Sequence, residues 1–96
     1  MSKKIAYQIL YLILKKMYQA VLNKDLEQLN ILKKQYENKR TAAYNITLSG
    51  GLDSKFDQCA NSCVLSLGMG KNDYSKYVTN IAKLLNEIEI DLKNLE

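Results

Sequence analysis

From Tyr74 to Leu95 the chain sets an apolar side chain at every third or fourth residue: Tyr74, Val78, Ile81, Leu85, Ile88, Leu92 and Leu95. A strict alternation of fours and threes is a heptad seam. It describes an α-helix that lays a straight apolar stripe along a neighbour crossing it at about 20°. Such a helix draws most of its stability from burying the stripe rather than from backbone propensity. The rest of the chain, or a second copy of it, therefore has to cover the seam. Nothing in the composition obstructs further helices: proline is absent and there are only four glycines, so few residues interrupt a helical hydrogen-bond ladder.

The preceding residues supply those neighbours. On a wheel of about 100° per residue, Ala6, Leu10, Ile13, Met17, Ala20 and Val21 share one face of a helix over residues 4–22, with Tyr7, Tyr11, Leu14 and Tyr18 on its shoulder and Lys4, Gln8, Lys15, Lys16 and Gln19 mostly opposite. Asn23-Lys24-Asp25 breaks the pattern, and Asn23 or Asp25 suits the cap of a second helix near 25–43 that carries Leu26, Leu29, Leu32 and Tyr36. Its last turns hold Lys33, Lys34, Lys39 and Arg40, cations that complement the negative pole of the helix dipole. Gly50-Gly51 punctuates the chain, with Asp53 or Ser54 as a cap for a third helix near 54–67 striped by Phe56, Ala60, Cys63 and Leu67. Gly68 and Gly70 close it, and Asn72 or Asp73 caps the heptad helix near 73–94. The expected fold is all-α, a small antiparallel bundle of three to four helices forming a single domain over residues 1–96.

Composition also removes several kinds of chemistry. Histidine is absent, which excludes a histidine general base, a Ser-His-Asp triad and a Cys-His pair. Cys59 and Cys63 lie four apart, on one face of the third helix. Two thiols without histidine do not complete a tetrahedral metal site, and a disulfide within one straight helical turn is geometrically awkward. Twin CxxxC motifs mark small mitochondrial chaperones, but only a single copy occurs here. Buried, reduced cysteines are expected, with no metal, no cofactor and no catalytic residue.

Ser49-Gly50-Gly51-Leu52-Asp53-Ser54 resembles the SGGxDS phosphate-binding loop of the N-type ATP pyrophosphatases, such as asparagine synthetases and NAD synthetases. The resemblance covers those six residues. In that family the loop follows a strand and opens a helix, and glycines let backbone amides wrap a pyrophosphate beside the helix N-terminus. The resemblance implies a strand at Tyr44–Leu48 and phosphate contacts from Ser49, Gly50, Gly51, Asp53 and Ser54. The reading from the residues alone is a Gly-Gly turn between helices.

The remaining signals concern surfaces. The net charge is +4, and the first twenty-four residues carry Lys3, Lys4, Lys15, Lys16 and Lys24 without an acid. A basic segment favours an acidic protein, nucleic acid or an anionic membrane surface. It also suits attraction to the more acidic C-terminal helix within the bundle. Tyr7, Tyr11 and Tyr18, beside Lys15, form a candidate partner-binding or self-association surface, because a ring that is apolar in body and polar at its tip tolerates water until a partner covers it. Small bundles of this size include bacteriocin immunity proteins, secretion chaperones and phage-encoded inhibitors, an analogy of shape alone. The expected function is a non-enzymatic interaction protein. Phosphate binding at Ser49–Ser54, and nucleic-acid or membrane binding through the basic half, stand as alternatives. Lys3-Lys4 before the apolar run Ile5–Leu14 has the outline of a secretion signal, but Lys15-Lys16 follow directly and no convincing small-x-small cleavage site occurs. About ten apolar residues are too few to span a bilayer, and a cytoplasmic protein is expected.

Overall fold

The computed structural model describes residues 3–46 and 50–95, and among them finds four helices and no strand: α1 (Lys3–Leu22), α2 (Leu26–Ile46), α3 (Gly50–Ser66) and α4 (Lys71–Lys93). The contacts between the helices fix the topology. Tyr7, near the start of α1, meets Asp53 near the start of α3, so these two run in the same direction. Tyr74 at the start of α4 meets Val21 at the end of α1, and Glu89 near the end of α4 meets Tyr11. Arg40, late in α2, meets Asp57 early in α3. The result is an up-down-up-down antiparallel bundle. α1 packs against all three other helices, whereas α2 and α4 do not meet among the described residues. The layout is a layer, α2–α1–α4, with α3 behind it.

The core follows the stripes. Ala6, Leu10, Ile13, Leu14, Met17, Ala20 and Val21 of α1 close on Leu29, Leu32 and Tyr36 of α2, Phe56, Ala60 and Cys63 of α3, and Ile81, Leu85, Ile88 and Leu92 of α4. Tyr74, Val78 and Leu95 of the heptad seam, with Leu67, are half-buried against that cluster. The buried set is wider than the stripes: Leu52, Cys59 and Leu84 are also inside. α3 is covered by α4 on one side and by α1 and α2 on the other, so one stripe cannot account for its inner face. Cys59 and Cys63 are both free thiols in this core, and the buried Ser66 hydroxyl is satisfied by donating to the carbonyl of Cys63 at 2.8 Å.

The ends of the helices differ from the expected caps at two places. Asp25 caps α2 as its side chain suggests, its Oδ1 accepting from the amide of Gln28 at 3.1 Å. α3, however, begins at Gly50 rather than at Ser54, so Gly50 and Gly51 are helical. Glycine costs little in a first turn, where few backbone bonds depend on it. α4 begins at Lys71 with Gly70 as its N-cap, and no side chain caps it. Asn72 and Asp73 are inside its first turn, where the Asp73 carboxylate complements the dipole. α1 ends in a Schellman closure: the Asp25 amide donates to the Ala20 carbonyl at 2.9 Å and the Lys24 amide to the Val21 carbonyl at 3.0 Å. The residue at the left-handed position is Lys24, with φ 53°, where glycine is usual. Its ammonium lies 5.0 Å from the centre of the Tyr74 ring, and Tyr74 donates its hydroxyl to Val21.

The seam makes a direct prediction. Ile88 is fully buried and Ile90, two residues on, is half exposed. Ile88→Ala should destabilise by about 2–5 kcal/mol, lowering the melting temperature by roughly 10 °C or more. Ile90→Ala should change stability by about 0.5 kcal/mol or less. Equal shifts in the two melting curves would show that the register of α4 is wrong.

Candidate functional site

The seven tyrosines of the chain divide by what their hydroxyls reach. Tyr7, Tyr11, Tyr36 and Tyr74 each donate to a group on another helix or its end: Asp53 Oδ1 at 2.6 Å, Glu89 Oε2 at 2.9 Å, Asp57 Oδ1 at 3.0 Å and the Val21 carbonyl at 2.8 Å. These rings tie the bundle together, which is the use of Tyr where an apolar body is buried and its tip needs an acceptor. Tyr7 is the extreme case. It is fully buried and stacks on Phe56 with centroids 5.4 Å apart and planes 17° apart. The sequence places Tyr7 on an interaction surface. Its burial corrects that assignment, because α3 covers this shoulder of α1 at its N-terminal end.

The other three residues of the candidate surface do come together. Tyr11, Lys15 and Tyr18, with Gln19, line a groove of about 290 Å³ between α1 and α4, whose far wall is Ala82, Leu85, Asn86 and Glu89. Tyr11 and Tyr18 are half-buried against the core and Lys15 is exposed. The Lys15 ammonium lies 5.6 Å from the centre of the Tyr11 ring, a cation–π contact that leaves its charge unpaired by any carboxylate among the described residues. Tyr18 differs from the tying tyrosines in that its hydroxyl has no protein partner among the described residues, so it is available from the groove. Sequence reasoning did not find the α4 wall. Leu85 belongs to the heptad seam, but Ala82, Asn86 and Glu89 lie beside it, and their relation to α1 is a product of packing.

The electrostatics of the groove are set by Tyr11 and Glu89. Burial first, then the hydrogen bond to Glu89 and the negative charge of that carboxylate, push the Tyr11 phenol from its ordinary 10.0 up to about 12. The hydrogen bonds from Tyr11 and then Lys93 hold the Glu89 carboxyl below its usual range, and the charge of Lys15 adds to that. Lys93 also forms a surface ion pair with Glu89 at 3.4 Å. The groove is thus a positive α1 wall facing one engaged carboxylate.

The phosphate-loop residues are placed differently. Tyr44–Ile46, expected as a strand on the resemblance, are the last residues of α2. Thr47, Leu48 and Ser49 lie outside the described residues. Gly50, Gly51, Asp53 and Ser54 are in the first turns of α3. Asp53 accepts from Tyr7, and the Ser54 hydroxyl accepts from Gln58 at 3.2 Å. Among the described residues no three or more His, Cys, Asp or Glu side chains gather as a metal site would need. The Cys63 thiol is pushed well above its ordinary range by its hydrogen bond to Cys59 and by burial, the reverse of what a metal ligand or nucleophile requires. No described helix is long and apolar enough to cross a membrane.

No family model, no curated protein and no solved structure matches the chain.

The Tyr11–Glu89 pair gives a pH prediction. A phenol whose folded pKa exceeds its unfolded value adds stability below about 10, and that stability is lost as pH rises toward about 12. In a tyrosine titration followed residue by residue by NMR, Tyr11 should titrate late, near 12, and Glu89→Gln should bring that phase down. An unmoved Tyr11 phase in the variant would rule out Glu89 as a cause.

Proposed function

We propose that this protein is a non-enzymatic interaction module whose contact surface is the α1–α4 groove. The observation that carries this reading is Tyr18: a half-buried ring whose hydroxyl has no partner among the described residues, set in a groove beside Lys15, which has no ion pair among them. Tyr is enriched at the centres of binding interfaces because its ring gives a large contact area at a low cost in conformational entropy. Two features of the groove support recognition of a segment rather than a flat contact. It is concave, and it offers hydrogen-bonding groups from both walls, Gln19 on α1 and Asn86 on α4.

A photo-crosslinking amino acid at Gln19, in the groove, tests this in the native host. Gln58, exposed on α3, serves as the control position. Discrete adducts are expected from position 19, absent from position 58 and lost when Tyr18→Ser is added. The Tyr18→Ser protein should keep its helical spectrum, since that hydroxyl ties no helices together. Adducts of the same kind from both positions, or adducts indifferent to Tyr18→Ser, would place the contact elsewhere.

A further inference from the structure

The occupant of this face can be defined from the chemistry of α1. That helix contains Lys3, Lys4, Lys15 and Lys16 and no acidic residue. Because α1 is the middle helix of the α2–α1–α4 layer, its side opposite α3 faces outward along its length. At about 100° per residue, Ile5, Gln8, Leu12, Lys16 and Gln19 fall on that outward strip, with Lys15 at its α4 edge. Leu12 is 56% exposed and Ile5 51% exposed, among the largest exposures of apolar side chains in the protein. From Ile5 to Gln19 the strip runs about 21 Å at 1.5 Å per residue. It therefore combines an apolar patch centred on Leu12 with two exposed ammonium groups one turn further on, and runs beside a groove that holds Tyr11 and Tyr18.

We infer that the outward strip of α1 and its groove bind an acidic amphipathic helix of a protein partner, its apolar stripe covering Leu12 and its carboxylates meeting Lys15 and Lys16. This rests on the interaction reading above and adds the chemistry of the partner. Charge complementarity carries it: neither lysine is within ion-pairing distance of a carboxylate among the described residues, α1 brings no acid, and the Glu89 carboxylate that Lys15 faces is already engaged by Tyr11 and Lys93. The helical form follows from the straight run of the strip: an amphipathic helix carries its apolar stripe at i, i+3, i+4 and i+7, which lies along Ile5 and Leu12 while one flank borders the groove. An anionic bilayer has the same charge but fits less well. Bilayer docking needs a broad apolar face, whereas two large apolar side chains are exposed along this strip. Nucleic acid fits less well because the centre of the strip is the apolar Leu12, whereas binding to a phosphate backbone rests on cations.

The test uses nitrogen-15 NMR of the full chain and three probes: a helix-forming peptide of Glu, Leu and Ala with an amphipathic pattern, the same peptide with every Glu replaced by Lys, and vesicles containing phosphatidylserine. The expected result is that the acidic peptide shifts amide signals centred on residues 8–19. Its affinity should fall about tenfold from low to high salt, and by a similar factor in the Lys15→Glu, Lys16→Glu double variant. Both lysines are exposed, and the milder Lys15→Gln, Lys16→Gln pair, expected to show a smaller loss, guards against misfolding. Equal binding of the Lys peptide, shifts centred away from α1, or affinity unchanged by either double variant overturns the inference. Vesicle binding that needs Lys15 and Lys16 while the acidic peptide stays unbound overturns it in favour of a lipid surface. The two readings also fail separately. Adducts from position 19 that survive both lysine variants leave the interaction module standing and remove its acidic occupant, whereas missing adducts from position 19 remove the module itself.

Discussion

Everything in this bundle is arranged around α1, which has to be buried on three sides at once. A helix in a pair needs one narrow stripe, but α1 meets α2, α3 and α4. Its sequence answers with an apolar arc from Ala20 through Leu10 to Tyr7, buried across its width. A short chain buries a smaller fraction of its surface than a long one, and a central helix shared by three neighbours is an efficient use of few residues. It also explains the tyrosines. At the edges of a wide arc a side chain must be apolar toward the core and polar at its tip. Tyr7 and Tyr11 meet that need by donating to carboxylates on α3 and α4. Each such bond crosses between helices far apart in sequence and fixes their relative height as well as their contact.

The division of labour among the α1 tyrosines follows from the same geometry. Tyr7, Tyr11 and Tyr18 lie close together on a helical wheel, yet one is a core residue, one a tie with an open edge and one a free hydroxyl. The wheel gives their direction from the α1 axis but not which neighbour stands there. Near the start of α1 the shoulder faces α3, where Asp53 and Phe56 enclose Tyr7. Further along it faces α4, whose small and polar residues Ala82 and Asn86 leave room beside Tyr11 and Tyr18. The candidate surface is a place where the fourth helix stops short of filling the arc of the first.

What could be read from the residues was periodic, and what could not was relational. The heptad alternation placed Ile81, Leu85, Ile88 and Leu92 inside, and they are inside. Leu84 is also buried, outside the alternation, because α4 meets both α1 and α3 and so presents a wider face than a two-helix seam. Asp25 was legible as a cap because a carboxylate at a break has one obvious use. Gly50-Gly51 was read as a turn because glycine is permissive, and the same permissiveness lets it begin a helix. The groove was half legible. Its α1 wall came from a shoulder pattern on one helix, while its α4 wall depends on how two helices with 48 residues between them lie against each other.

The α1–α2 turn carries a consequence for how the chain reaches this structure. Lys24 occupies a left-handed conformation that disfavours a side chain by about 1 kcal/mol or more. The turn's own Schellman bonds offset part of this, and Tyr74 adds to them, its ring meeting the Lys24 ammonium and its hydroxyl donating to the Val21 carbonyl. An isolated α1–α2 hairpin would have to form its turn without Tyr74. The turn is thus strengthened by the arrival of α4, which couples the first hairpin to the last helix. Proteins rich in local helical contacts tend to fold fast. Here a turn that is local in sequence draws part of its energy from a helix fifty residues away, so the geometry at the end of α1 and the seating of α4 reinforce each other.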